Sequence, residues 1–393
     1  MRLKFGVWLN PFHKPGQNPT LALRRDLELV EHLDRLGFDE VWVGQHHSGG
    51  FELVGSPEVF IAAAAERTKR IRLGAGVISV PYHQPLVLAD RLAMLDHLTG
   101  GRLMFGAGPG AHVIDARMMG FDYGEQRRRL EEGLEAIIHL LTRDEPLTME
   151  TDWFRLREAR LQLAPRQDPC FEIAVAAVRS PTGPRMAGRF GAGLLGVAAT
   201  DRDGGFDFVA KTWALAEAEA ARHGQTVERK RWRLIAPMHL ARTEAQAIVD
   251  VTYGLADLMR FQFAGPFGKP GDPDVEEVLK GADIRALARQ ANASGHTVYG
   301  TPEMACAQVQ RLWDQSGGFG TLLISLTDVA EPEAMFRSLE LFAREVMPRF
   351  DGQLARPMAS WRQLYEARHS VSAEFRGAQD KAIAQHRAQG GAP

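Results

Sequence analysis

The fold this sequence predicts is a (β/α)8 barrel of the TIM type with insertions. Three observations lead there. Short β-branched runs alternate with amphipathic stretches of helical period from the first residues onward. Eight such units can be read along the chain, whereas an open doubly wound sheet usually has fewer strands and a recognisable switch point. A length of 393 residues fits one large barrel with insertions.

KFGVWL, residues 4–9, reads as the first strand, and Leu21 to Leu36 as a helix with Leu27, Val30, Leu33 and Leu36 on one face, ended by Gly37. VWVG makes the second strand, PEVFIAAAAERT the second helix and IRLGAGVISV the third strand. PLVLADRLAMLDHLTGG is a helix closed by glycines, and RLMFGAG is the fourth strand. Gly124 to Leu141 forms the next helix, FEIAVAA the fifth strand, PTGPRMAGRF a short helix and GAGLLGV the sixth strand. Asp207 to His223 is helical, WRLIAPMHLAR is strand seven, TEAQAIVDVTYG begins a helix, FGTLLISL is strand eight, and Pro332 to Val346 is the last barrel helix. The barrel domain is expected over residues 1–352 and a polar, helix-like tail over 353–393. Residues 142–170 and 253–298 are too long for ordinary loops, and hold aromatic and Pro/Gly-rich pieces such as MRFQFAGPFGKPGDP that suit lids or pocket walls.

Composition narrows the function. With 47 Lys and Arg against 49 Asp and Glu, the chain has no basic excess for a nucleic acid. Its two cysteines, Cys170 and Cys306, form no CxxC pair, which argues against a disulfide framework or a zinc site and fits a reducing cytoplasm. The apolar run at the N-terminus breaks at Asn10 and Pro11, too early for a signal peptide or a membrane span.

Three motifs stand where barrel chemistry is done, after strand C-terminal ends. His46 and His47 follow strand two in DEVWVGQHHSGGFE. Successive residues leaving a strand point in different directions, so one imidazole faces the pocket; the alternatives are two structural histidines or a metal site, for which the sequence shows no further ligands at suitable spacing. GAGPG, residues 106–110, either lets backbone approach a planar or phosphorylated ligand or is simply a turn. It lacks the GxGxxG spacing of a nicotinamide fingerprint. RSPTGPRMAG, residues 179–188, sets Ser180, Pro181 and Thr182 at a helix start, where hydroxyls and amides either cap the helix or bind phosphate. Arg127 to Arg129 offers a guanidinium nearby or is a solvated face.

Taken together, FGVWLNPF, EVWVGQHH, GAGVISVPYHQP, GGRLMFGAG, WFRLREARLQLAP, AVRSPTGPRMAG, YGTPE and GGFGTLLISL resemble the flavin-dependent, bacterial luciferase-like monooxygenases, in the branch of limonene monooxygenase and the diketocamphane monooxygenases. The resemblance runs to about residue 350. It implies His46 as the active-site histidine, with Gln45 where luciferase has a carboxylate. It also implies a cis peptide at Gly76–Val77 and flavin-binding positions at Gly76, Val77, Gly108, Arg127, Ser180, Pro181 and Thr182. Gly108 and Pro109 stand where luciferase carries a cysteine and an arginine, so one phosphate contact is supplied elsewhere or lost. The implied activity is oxygenation of a small apolar terpenoid or cyclic ketone with O2 and reduced flavin, FMN or alternatively FAD. Because no nicotinamide fingerprint is present, the flavin is expected as a co-substrate from a separate NAD(P)H-dependent reductase. A homodimer without metal, nucleic acid or membrane partners is expected. A non-catalytic flavin-binding barrel and a deazaflavin-dependent hydride-transfer enzyme are the alternatives.

Overall fold

The computed structural model describes residues 2–9, 12–197, 199–200, 205–264 and 273–390. The chain divides into a unit spanning Leu3–Met347 and a second unit that includes the segment from Pro348 onward.

The strands of the first unit are β1 Lys4–Leu9, β2 Glu40–Val43, β3 Arg72–Ser79, β4 Leu103–Gly108, β5 Leu147–Glu150, β6 Arg155–Ala159, β7 Glu172–Ala177, β8 Gly193–Gly196, β9 Trp232–Leu240, β10 Val298–Gly300 and β11 Thr321–Leu326. Parallel pairing runs β11–β1–β2–β3–β4–β7–β8–β9 and returns from β9 to β11, which closes the predicted eight-stranded barrel. The fifth to eighth strands expected from sequence are therefore β7, β8, β9 and β11. Three strands were not expected: β10 adds to β9, pairing Val298 with Met238, and β5 with β6 makes an antiparallel hairpin inside the first long insertion.

Local chemistry accounts for the frame. In the first helix, Pro19–Leu36, the Asn18 side chain accepts from the Thr20 and Leu21 amides and Gly37 ends the helix at φ 85°. Its buried face is Ala22, Leu29, Val30 and Leu33, so Leu27 and Leu36, expected to face inward, are only half-buried. Inside the barrel Trp42, Met104, Ala174, Leu195, Ile235 and Leu323 pack as one cluster. Room for the Trp42 indole comes from β3: a Cβ on Gly74 would sit 2.4 Å from its Cε3, and one on Gly76 2.7 Å from its Cβ.

Toward the N-terminal ends of the strands, Arg233 of β9 reaches into the barrel and forks onto Glu40 of β2 with two bonds of 2.9 Å. It also bonds Glu172 of β7, which Arg72 holds from β3 at 2.9 Å. Burial opposes charge on Arg233, but these carboxylates raise its pKa further above the usual range.

Candidate active site

At the C-terminal end of β2 the chain runs Gly44, Gln45, His46, His47, and the two imidazoles part. His46 is half-buried, with Nε2 at 3.0 Å from Glu52 Oε2 and Nδ1 at 3.8 Å from Asp115 Oδ2. Glu52 and Asp115 are both buried. Neither His46 Nδ1 nor Glu52 Oε2 has an aligned hydrogen-bond partner, so these contacts are charge pairing. A second ring, His112, lies 4.3 Å from His46 between centroids and 3.9 Å from Glu52. Asp115 also accepts from the Ser48 hydroxyl and, at 3.3 Å, from the His47 amide.

The electrostatics follow from this arrangement. Burial alone would lower the His46 pKa, but Asp115 and Glu52 overcome it and lift the ring to about 9. His46 is thus an imidazolium at neutral pH, and not a group poised near 6.5. Burial pushes Asp115 up, but His46, Ser48 and the His47 amide bring it down to about 2. His112, lowered by burial and by the charge on His46, is the neutral ring of the pair.

His47 turns to a different set. Its Nε2 lies 3.1 Å from Gln45 Nε2, and its ring meets Tyr82 edge-on at 5.8 Å. Gln45 is buried and ties three segments together: its Oε1 accepts from the Ser79 amide at 2.8 Å, and its Nε2 donates to Gly55 O and faces His83. Gln45 is thus a brace, and the carboxylates missing at its position are supplied by Glu52 and Asp115. The donor atoms of His46, His112 and Asp115 lie within 4.8 Å of one another, so a ligand set not visible from spacing does exist in space.

The remaining expected residues fall on the same barrel end. The Gly76–Val77 peptide is cis, and Gly76 O accepts from Trp8 Nε1 at 2.5 Å. Gly108, the last residue of β4, is pressed against this turn: a Cβ there would sit 2.4 Å from Val77 Cγ2. After β7 the helix Thr182–Phe190 starts with Pro181 as its cap residue and no side-chain cap bond, so Ser180 and Thr182 do not serve as caps. Gly183 lets the helix start close on the strand, since a Cβ would lie 2.1 Å from Ala176 O. Arg189 couples this helix to Gln126–Thr142 through Glu131 and Glu135. Of the three consecutive arginines, Arg128 pairs with Glu132 and Asp152, and Arg129 pairs with Glu125 over the Phe121 ring. Arg127 is exposed and has no carboxylate partner among the described residues.

The two insertions differ in use. The first packs on the helix Gln126–Thr142, with Trp153 Nε1 donating to Glu132 at 2.7 Å. The second contributes the helix Leu255–Ala264, whose Phe261 lies 5.5 Å from Phe12, 5.4 Å from Phe51 and 6.0 Å from His112. An aromatic wall thus stands beside the histidine pair. Residues 265–272 of that insertion, and Asn10 and Pro11 of FGVWLNPF, lie outside the described residues.

A histidine–carboxylate cluster, a cis peptide and a helix start without a side-chain cap thus stand at the C-terminal end of a parallel barrel, where barrel active sites are built. The chain belongs to the luciferase-like monooxygenase family, which it matches over residues 3–318. It is 45% identical to limonene 1,2-monooxygenase of Rhodococcus erythropolis over 97% of this chain and 95% of that protein. It is 44% identical to 4-hydroxyprotoasukamycin monooxygenase of Streptomyces nodosus subsp. asukaensis, covering 92% and 95%. The oxygenating constituent of 3,6-diketocamphane monooxygenase of Pseudomonas putida, solved with FMN, shares the fold with a TM-score of 0.70 at 22% identity, covering 89% of this chain and 99% of that one.

Proposed function

We propose that this chain is the oxygenase of a two-component system, taking reduced FMN from a separate NAD(P)H-dependent reductase and placing one atom of O2 on a small apolar molecule of terpenoid or cyclic-ketone type. The observation with most weight is the His46 cluster after β2, which pairs with β3 and its cis Gly76–Val77 bond, in a chain 45% identical to a limonene monooxygenase.

The residues fit a flavin. Among the described residues Arg127 has no carboxylate to compete with a phosphate, and the Thr182–Phe190 helix, with no side-chain cap, offers its first amides together with the Ser180 and Thr182 hydroxyls; Pro181 shapes the entry. Gly76 and Gly108 let the Trp42 and Val77 side chains pack directly on the backbone, and the flavin ring is proposed to lie beside Gly76, Val77 and Gly108. When bound, reduced FMN supplies the reaction with O2. His46, held cationic by Asp115 and Glu52, donates a proton or a charged hydrogen bond where negative charge develops on oxygen. Phe12, Phe51 and Phe261 keep water away and give an apolar substrate its contact surface.

Oxygen uptake with FMN, a flavin reductase and NADH, in the presence of limonene and cyclic ketones, tests this reading. Substrate-dependent product with matching O2 consumption supports it. Substrate turnover only with a reduced deazaflavin and no O2 would assign the site to hydride transfer, and flavin binding without any turnover would make the barrel a carrier.

A further inference from the structure

A second group of buried charges stands at the same end of the barrel and takes no part in the chemistry above. Asp328, just past β11, is 5% exposed. Arg25, from the first helix, donates to its Oδ1 at 2.9 Å and to its Oδ2 at 2.7 Å, and the Lys14 amide donates to Oδ2 at 3.3 Å. The Asp328 amide in turn donates to Phe12 O at 3.3 Å. Beside this fork His13 and Asp26, both buried, meet at 2.8 Å. A buried ion pair is weak evidence of a stabilising role, because apolar side chains of similar volume close such a turn as well. What it fixes well is geometry, since a forked contact between a guanidinium and a carboxylate holds both partners in one orientation.

The segment held in this way leads to the His46 cluster. Phe12 forms an antiparallel bridge with Glu52, and the His13 amide donates to Phe51 O at 2.6 Å. Glu52 is the buried carboxylate 3.0 Å from His46 Nε2. On its far side the second insertion is tied to the same place: the Gly254 amide donates to Val329 O at 3.0 Å, and Lys14 Nζ donates to Tyr253 O at 2.7 Å. Gly254 is needed there, since a Cβ would lie 1.9 Å from Asp328 O. One carboxylate thus joins the loop after β1, the loop after β11 and the first helix, next to the start of the helix that carries Phe261.

We infer that Asp328 is a positioning residue for the His46 site: with Arg25 it fixes the Phe12–Lys14 segment and, across the Phe12–Glu52 bridge, the carboxylate that faces His46. Its side chain bonds to Arg25 and to the Lys14 amide, and it acts on His46 through Glu52. Removing its charge frees the segment to shift, and Glu52 moves away from the imidazole with it. The effect on turnover rests on the reading of His46 as the proton-handling group; the effect on the His46 titration does not.

The test compares Asp328→Asn with Arg233→Met, which weakens the barrel from its other end, in the full chain well below the unfolding midpoints of both. In Asp328→Asn the His46 ring, followed by NMR without flavin, should titrate lower than in the parent by roughly half a pH unit or more. Turnover with reduced FMN should fall about tenfold, with FMN affinity within a few-fold of the parent. Arg233→Met should leave the titration where it is. Where Asp328→Asn does not fold, Arg25→Lys, which keeps the charge but loses the fork, should show the same shift in smaller measure. An unshifted His46 in either folded variant would overturn the inference. An equal shift in Arg233→Met would also overturn it, by making the effect one of general stability. A lowered titration with normal turnover would support the positioning and count against His46 as the proton donor.

Discussion

At the scale of single residues, the account turns on one imidazole between two buried carboxylates. The His46 pKa rises in the folded protein, from an ordinary 6.5 to about 9. Its charge pairing therefore adds stability in full below pH 6.5, and this is lost as pH rises through 9; the gap amounts to roughly 3 kcal/mol before solvent screening. Asp115→Asn should bring the ring down by at least one pH unit in an NMR titration, and Glu52→Gln should act in the same direction. A ring still titrating near 9 in both variants would mean that the carboxylates do not set its charge. His46→Ala should keep reduced-FMN affinity within a few-fold while cutting turnover at least tenfold. His47→Ala should reduce mainly stability, because His47 meets Gln45 and Tyr82 and none of the buried carboxylates through its ring. The reverse pattern would exchange their roles. The sequence shows the histidine pair but not its partners. Glu52 is six positions on, beyond two glycines, and His112 and Asp115 come from the start of the short helix Val113–Met118 after β4; only barrel closure brings them together.

At the scale of elements, the helix start after β7 is the proposed phosphate seat, and two substitutions probe it separately. Arg127→Ala removes a charge-assisted contact and should weaken reduced-FMN binding by about 1 to 3 kcal/mol in an anaerobic titration without altering stability. Gly183→Ala should weaken binding and also lower stability by about 1 to 3 kcal/mol, since the added methyl meets Ala176 O at 2.1 Å and must push the helix off its strand. Unchanged affinity in both would move the phosphate elsewhere. The eight barrel strands were legible because their side chains are buried on both faces, as along the whole of β2 and β8. The β5–β6 hairpin was not: its strands are short, polar and half-exposed, and in β5 half-buried Leu147 and Met149 alternate with exposed Thr148 and Glu150. β10, at three residues, is too short for periodicity to register.

At the scale of the whole molecule, the proposed site and the buried ion cluster that closes the strands stand at opposite ends of one barrel. Arg233, Glu40 and Glu172 join β9, β2 and β7 from within, and burial makes each charge dependent on the others. Arg233→Met leaves Glu40 buried without its counter-ion, so a loss of about 3 to 5 kcal/mol is expected, measured as a lower denaturant midpoint. Burial raises the Glu172 pKa, but Arg233 and Arg72 hold it at about 2, so its contribution is present above the ordinary carboxylate range and is lost as pH falls through 2. A variant as stable as the parent at neutral pH would show that the cluster is not needed for closure.

The central claim is that this barrel itself oxygenates a substrate with flavin reduced elsewhere. The most direct measurement supplies photoreduced FMN and isotopically labelled O2, with no reductase and no NAD(P)H, to the purified chain and a limonene-type substrate, and follows the label by mass spectrometry. The account predicts one labelled oxygen atom in the product, at a yield that falls at least tenfold with His46→Ala. Product without label, or reduced FMN consumed to hydrogen peroxide with every terpenoid and cyclic ketone offered, would contradict it.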